Sequence, residues 1–415
     1  MSLTRTPPDT QDVPRTAQAL KVISVVWALL VFNTLGSLGA SLLPIPRSVL
    51  QMLTMSSVGF AFVLALAVNP RFKFRPSAYL LLLILLLVGS LASSVRLGSG
   101  WGALFRCARF GLFIGTLWLV SPWMDNALHF VKHHVRVLGA LLATVAVGLA
   151  VAPGMALAQD NEGRLTGVLW PLTATQVGQY AAIAIGLTIL LWLNKLTTGR
   201  SVALITAPAT VLLLLTHTRT ATAGLVAGLA VAGLSMLLTN ARARKVLVWA
   251  IAAAVVGVGL LGAFIQAWLL RGQDRANFTN LTGRAKVWDR LLDMPRTWFE
   301  QVFGTGLSNK SFDGLPIDNS WLAVYHEQGY VGVVIVVLFL LTLVVAAISR
   351  PPSPARACAL FLISYCLLAS YTEAGLGDAS PYLLHLALAS WLLATPSPEG
   401  EAVLPDRPDR LSSVT

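Results

Sequence analysis

Charged groups set against apolar surroundings are the residues of this chain that could do chemistry. Arg219 stands in His217-Thr218-Arg219-Thr220, a tight turn between two apolar stretches that leaves no room for a solvated loop. Arg164 follows Gly163 in the short connection 161–167, and Arg106 and Arg109 interrupt a further apolar stretch. Their spacing of three puts those two on one face of a helix. A charge held in a bilayer costs on the order of a few kcal/mol unless it is paired or reaches water. Ordinary uses exist for each: Arg219 as an interfacial anchor that snorkels outward, Arg164 paired with Glu162, and Arg106 and Arg109 paired with Glu373 and Asp378 on a neighbouring helix. Several arginines converging on one face of a membrane also suit a doubly charged phosphate ester better than a small organic anion, because each guanidinium is planar, permanently charged and bidentate.

The elements that must position these groups are apolar. Of the 415 residues 56% are hydrophobic and only 12% charged, with a mean hydropathy of +0.72. That composition predicts one polytopic, all-α membrane domain over 22–395 rather than two or three soluble ones. Twelve apolar stretches, 23–44, 50–68, 78–95, 101–121, 135–157, 170–193, 201–216, 220–239, 246–270, 330–348, 357–372 and 381–395, are each near the length a hydrocarbon core demands. Five short connections on one side carry Arg71, Lys73, Arg75, Lys132, Arg136, Lys195, Arg200, Arg242, Arg244, Lys245, Arg350 and Arg356, whereas those on the other carry only Arg47, Arg96, Arg164 and Arg219. The threefold asymmetry places both termini in the cytoplasm. It also accounts for most of the formal charge of +12, which is spread over loops and is no groove for nucleic acid. The ends, 1–21 and 396–415, read as unstructured cytoplasmic tails. Cys107, Cys358 and Cys366 lie within apolar stretches without the spacing of a metal or redox site.

One long connection, 271–318, falls on the outer face and spans 48 residues. Long ordered loops are where function concentrates. Within it Ala285 to Phe299 reads as an amphipathic helix at the outer interface, kinked at Pro295 and broken by Gly304 and Gly306. A further short helix is expected to begin at Asp318 as its N-cap and to run to Gly329.

The run Asp318-Asn319-Ser320-Trp321-Leu322 through Glu327-Gln328-Gly329 and on to Gly332 resembles the signature of the O-antigen ligase and O-antigen polymerase superfamily. Four further marks stand in the usual order: Arg164-Leu165-Thr166-Gly167 is similar to that family's Arg-x-x-Gly loop, His217-Thr218-Arg219-Thr220 to its Ser-Arg-Thr turn, Gly283-Arg284 with Trp288 to its Gly-Arg-x-x-x-Trp element, and Gly304-Thr305-Gly306 to the Gly-x-Gly turn that follows. The motifs cover roughly 160–335.

The resemblance implies an inverting glycosyltransferase in the bacterial inner membrane. Such an enzyme takes a glycan from undecaprenyl pyrophosphate at the periplasmic face and joins it to an acceptor hydroxyl without a metal or other cofactor. The outer loops contain no Asp-x-Asp and no His/Cys cluster, which is compatible. Under this reading Arg164, Arg219 and Arg284 bind the leaving pyrophosphate, and the base falls at Asp318. His326 is an alternative base, about 80° around the helix from Asp318. Asn319 would orient the base or a sugar hydroxyl, and Trp321 and Tyr325 would stack on sugar faces or serve as interfacial belt residues. The Asp-Asn-Ser form, where ligases that act on lipid A-core have His, points toward a polymerase of O-antigen or exopolysaccharide repeat units, which a chain-length regulator could accompany. Transfer to lipid A-core is the alternative, favoured by the compact length. A transporter or flippase is the reading from another class, and Arg106 and Arg109 keep it open.

Overall fold

The computed structural model describes residues 12–36, 39, 41–124, 128–159, 162–270, 284–308, 310–312 and 314–394. The expected tails outside 12–394, Gly283 and the first part of the long connection (271–283) lie outside the described residues.

The described chain is nearly all helical: α1 (Asp12–Asn33), α2 (Arg47–Val68), α3 (Ala78–Arg96), α4 (Gly100–Val120), α5 (Leu128–Val151), the single turn α6 (Pro153–Ala156), α7 (Ala174–Leu193), α8 (Gly199–Leu215), α9 (Arg219–Met236), α10 (Ala241–Leu270), α11 (Arg284–Asp293), α12 (Trp298–Phe303), α13 (Ser320–Ser349), α14 (Pro354–Ala369) and α15 (Pro381–Leu392). Among the described residues seven helices are long and apolar enough to cross a membrane: α2, α3, α4 with the 3-10 turn that follows it, α5, α7, α9 and α13. Five shorter apolar helices, within α1 and α10 and at α8, α14 and α15, occupy the remaining apolar stretches. Large apolar side chains such as Phe60, Leu85, Leu204, Val226 and Ile348 point outward from these helices. An apolar exterior of this kind fits a protein in a membrane.

Local chemistry fixes the helix starts. Ser77, Thr173, Thr198, Ser353 and Ser380 each accept a backbone N–H of the first turn with the side-chain oxygen, and Thr173 with Gln176 forms a full capping box. Ser353-Pro354 and Ser380-Pro381 add proline at the first helical position, where its missing N–H costs nothing.

Three boundaries differ from the sequence expectation. The first helix begins at Asp12, inside the expected tail, and ends at Asn33 rather than near 44. The fifth helix starts at Leu128 rather than near 135, so Lys132 sits within its opening turns rather than before it. The outer amphipathic segment is two helices and not one kinked helix: Pro295 follows the end of α11, and Thr297 restarts the chain as a capping box with Glu300. A two-residue antiparallel ladder, Ser311–Phe312 against Leu315–Pro316, follows in the same segment.

The core lies where α7, α14 and α15 meet, with α5, α8 and α9 around α7. From Tyr382 to Leu392 every residue of α15 is buried. At 12 residues α15 is about 18 Å long, short of a bilayer core of about 30 Å. The non-helical stretch 370–380 precedes it, and its last six residues are all buried. Buried non-helical backbone needs hydrogen-bond partners within the protein. The N-terminus of α13 supplies such partners: Ser320 N–H donates to Ser370 O at 2.8 Å, Gly375 N–H to Ser320 Oγ at 2.9 Å, and Ser320 Oγ to Glu373 O at 2.6 Å.

Candidate functional site

That stitched stretch positions the site. Asn319 caps α13, its Oδ1 accepting from Trp321 N at 2.9 Å and Leu322 N at 3.0 Å while its Nδ2 donates to Tyr371 O at 3.0 Å. The expectation that Asp318 is the N-cap is therefore corrected, because the residue one step further on has the extended backbone and the side-chain reach. The Asp318 carboxylate is left to meet α11, where Arg284 Nε donates to Oδ2 at 3.1 Å. The other arm of Arg284, Nη2, lies 3.8 Å from Glu373 Oε1. One guanidinium thus spans two carboxylates that are 55 residues apart in sequence.

Arg164 faces the same pair. Its loop turns through Glu162 and Gly163, both with left-handed φ, and docks on the α8–α9 turn through Leu165 N–H to Leu215 O at 3.0 Å. Arg164 Nε then donates to Thr216 O at 3.1 Å and Nη2 to Thr218 Oγ1 at 3.4 Å. Arg219 opens α9, and next to it Thr220 Oγ1 shares a 2.6 Å hydrogen bond with Thr372 Oγ1, beside Glu373. The structure therefore brings Arg284 and Arg164 to Asp318 and to Glu373, which sequence reading had assigned to Arg106 or Arg109, and sets Arg219 one residue from Thr220, the partner of Thr372.

Burial pushes the Asp318 carboxyl above the usual range, opposed by Arg284 and Arg164. Burial pushes Glu373 up to about 7, with Asp318 adding to the shift and Arg284 and Arg164 opposing it.

His326 lies in a different neighbourhood. Arg296 Nη2 sits 3.1 Å from its Nδ1, and Phe312 meets its ring edge-on at 6.0 Å. A guanidinium only donates, so Nδ1 accepts and the ring is neutral with its proton on Nε2. Trp321, half-buried, donates its indole N–H to Ser370 Oγ at 3.1 Å. The Tyr325 ring is packed between the Arg296 guanidinium at 4.7 Å and Tyr330 at 5.1 Å.

A second charged group lies deeper. Asp378 pairs with Lys310 and, at 3.9 Å, with Arg106; Lys310, Arg106 and Arg109 outweigh the burial that works against its charge and hold it below the usual range. Arg109 turns instead to Asn33, donating to its backbone O at 2.6 Å and its Oδ1 at 3.3 Å, so only one of the two arginines takes a carboxylate as expected. Glu327 accepts from Ser308 N, Ser308 Oγ and Lys310 N at 2.9 to 3.2 Å, which ties the segment after α12 to α13. The roles of Glu327, Lys310 and Arg296 were not read from sequence. A signal for Glu373 and Asp378 was present: Glu373-Ala374-Gly375-Leu376-Gly377-Asp378 is a polar, glycine-bearing break between the two shortest apolar stretches near the C-terminus.

Among the described residues no group of three or more His, Cys, Asp or Glu could hold a metal ion. The three cysteines are free and buried. The chain matches no family model and no curated protein, so the chemistry of this cluster rests on its own residues.

Proposed function

We propose that the chain is an inverting glycosyltransferase that draws a glycan from a polyprenyl, undecaprenyl-type, pyrophosphate and adds it to the hydroxyl of a second lipid-linked glycan, extending O-antigen or exopolysaccharide. The observation that carries this reading is the convergence of Arg284 and Arg164 on Asp318 and Glu373, with Arg219 opening the neighbouring helix beside Thr220. Guanidinium groups held in place by their hydrogen bonds stabilise a departing pyrophosphate with little reorganisation. Asp318, two-thirds buried with 34% of its side chain exposed, is the base. The acceptor oxygen forms its bond to the anomeric carbon as its proton passes to the Asp318 carboxylate. The bond from that carbon to the pyrophosphate oxygen breaks, and both electrons leave with pyrophosphate. The twelve apolar helices form a twelve-span frame under this reading, with the site on the periplasmic side of the inner membrane, opposite the basic loops.

Transfer to lipid A-core is the alternative, and the acceptor separates the two. Purified protein in detergent is given an undecaprenyl-pyrophosphate-linked repeat unit as donor, EDTA, and either a second lipid-linked unit or lipid A-core. Longer glycan on the lipid carrier establishes a polymerase and product on lipid A-core a ligase. Absence of transfer to either acceptor turns the weight to transport. Arg219→Ala and Arg284→Ala are expected to abolish transfer while leaving membrane abundance unchanged; near-normal transfer by both removes the arginine cluster from the mechanism.

A further inference from the structure

We propose that Glu373 is a positioning residue of this site: it shares the Arg284 guanidinium with Asp318, and thereby sets both how strongly Asp318 takes a proton and how firmly Arg284 holds an anionic ligand. The inference rests on the reading of the site given above. Its ground is geometric. Arg284 divides its two arms between the carboxylates, Nε to Asp318 at 3.1 Å and Nη2 toward Glu373 at 3.8 Å. Glu373 is held in place from both sides of its backbone, through Thr372 Oγ1 on Thr220 at 2.6 Å and through its own carbonyl on Ser320 Oγ at 2.6 Å. The charged and titratable groups that act on it come from each packed element: Arg284 on α11, Asp318 ahead of α13, Arg164 from its loop, and Tyr365 and Tyr382 on α14 and α15 within electrostatic range. Its side chain is 17% exposed, so these interactions are weakly screened.

The consequence follows from charge. Once Glu373 ionises, above about 7, a second carboxylate stands beside Asp318, raises the energy of the Asp318 anion and makes it the stronger base. The same carboxylate neutralises part of Arg284, so an incoming pyrophosphate must compete for the guanidinium. Once the pyrophosphate has taken it, Asp318 loses its ion-pair partner at the moment an acceptor hydroxyl needs a base. Donor binding and base release are one exchange at Arg284.

The test compares full-length wild type, Glu373→Gln and Glu373→Asp in detergent with an undecaprenyl-pyrophosphate-linked donor, measuring kcat and KM for the donor from acid to neutral pH. For Glu373→Gln the expected result is a lower donor KM, an acidic limb moved to lower pH, and a kcat down by about three- to tenfold, a fraction of the roughly 10²–10⁴ that a general base supplies. Glu373→Asp keeps the charge but draws it back by one methylene, so the same shifts are expected at smaller size. A loss of kcat with a wild-type limb and wild-type KM in Glu373→Gln means a structural role and overturns the proposal. If that variant does not fold, a wild-type limb and KM in folded Glu373→Asp overturn it alone. Absence of transfer by wild type overturns the reading of the site itself, whereas transfer with an unmoved limb overturns only the role of Glu373.

Discussion

Arg284 is the residue on which the site turns, because it is the group that touches both acidic partners. Removing its charge leaves Asp318 and Glu373 facing each other, whereas removing the Asp318 charge alone leaves Arg284 on Glu373 and the local packing intact. Asp318→Asn is therefore expected to keep the protein folded and to lower transfer by about 10²–10⁴-fold, the usual contribution of a general base; single-turnover assays with saturating donor check it, and transfer within a fewfold of wild type assigns the proton elsewhere. Glu373 makes a separate prediction about stability. Its carboxyl stands at about 7 in the fold against an ordinary 4.5, so the protonated form is the one the fold prefers. The stability it contributes is complete below about 4.5 and is lost as pH rises through about 7. The thermal midpoint of the protein in detergent is expected to decline across that window, and Glu373→Gln is expected to flatten the decline; an equally steep slope in the variant counts against the buried, raised carboxyl.

At the scale of elements, the outer segment is seated on the kink in α13. Gly304, which ends α12, has φ 78° and ψ −177°, and Gly329, where α13 changes direction, has φ 64° and ψ −164°. Both lie in a region open essentially to glycine alone. They also face each other: a Cβ at Gly304 would land on the backbone of Glu327 and Gln328, and one at Gly329 on the backbone of Val302 and Gly304. Thr305 N–H and Gly306 N–H then donate to His326 O and Glu327 O at 2.9 and 3.0 Å, which closes the joint. Gly304→Ala and Gly329→Ala are each expected to lower stability by more than the roughly 1–3 kcal/mol of backbone strain alone, since neighbouring backbone has to move as well. Gly314, equally left-handed but with open space around it, is the control, expected to lose less on the same substitution. Denaturation midpoints of the three variants decide whether the two facing glycines behave as one joint.

For the whole molecule the testable property is its orientation across the membrane. The native cysteines are buried, so a single engineered cysteine reports its own position. Cysteine in place of Asp289 on α11 and of Glu162 in the Arg164 loop is expected to react with an impermeant maleimide from one side of the membrane, and cysteine in place of Arg71 or Lys195 only from the other. Labelling of both sets from one side would leave the arginine cluster and the basic loops on the same face and remove the topology from which the donor is approached.

The sequence by itself determined the segmentation: alternating apolar stretches and charged breaks call for helices wherever a backbone must satisfy itself in a nonpolar medium. Serine, threonine, proline and glycine then fixed most of the ends, as at Ser380-Pro381 and Gly304. It also singled out Arg164 and Arg219, because charge beside apolar sequence is costly wherever the chain folds, whereas Arg284 and Asp318 entered through the resemblance of their motifs. Tertiary structure alone decided the pairings. Two carboxylates, Glu373 and Asp378, and two arginines, Arg106 and Arg284, could combine in more than one way, and periodicity carries no distances between helices. Packing of α11 and the 370–380 break against the head of α13 sent Glu373 to Arg284, left Asp378 to Arg106 and Lys310, and turned Arg109 to Asn33. The same packing gave the cap to Asn319 and left the Asp318 carboxylate to Arg284, a choice between adjacent residues that depends on which one is extended where the helix begins.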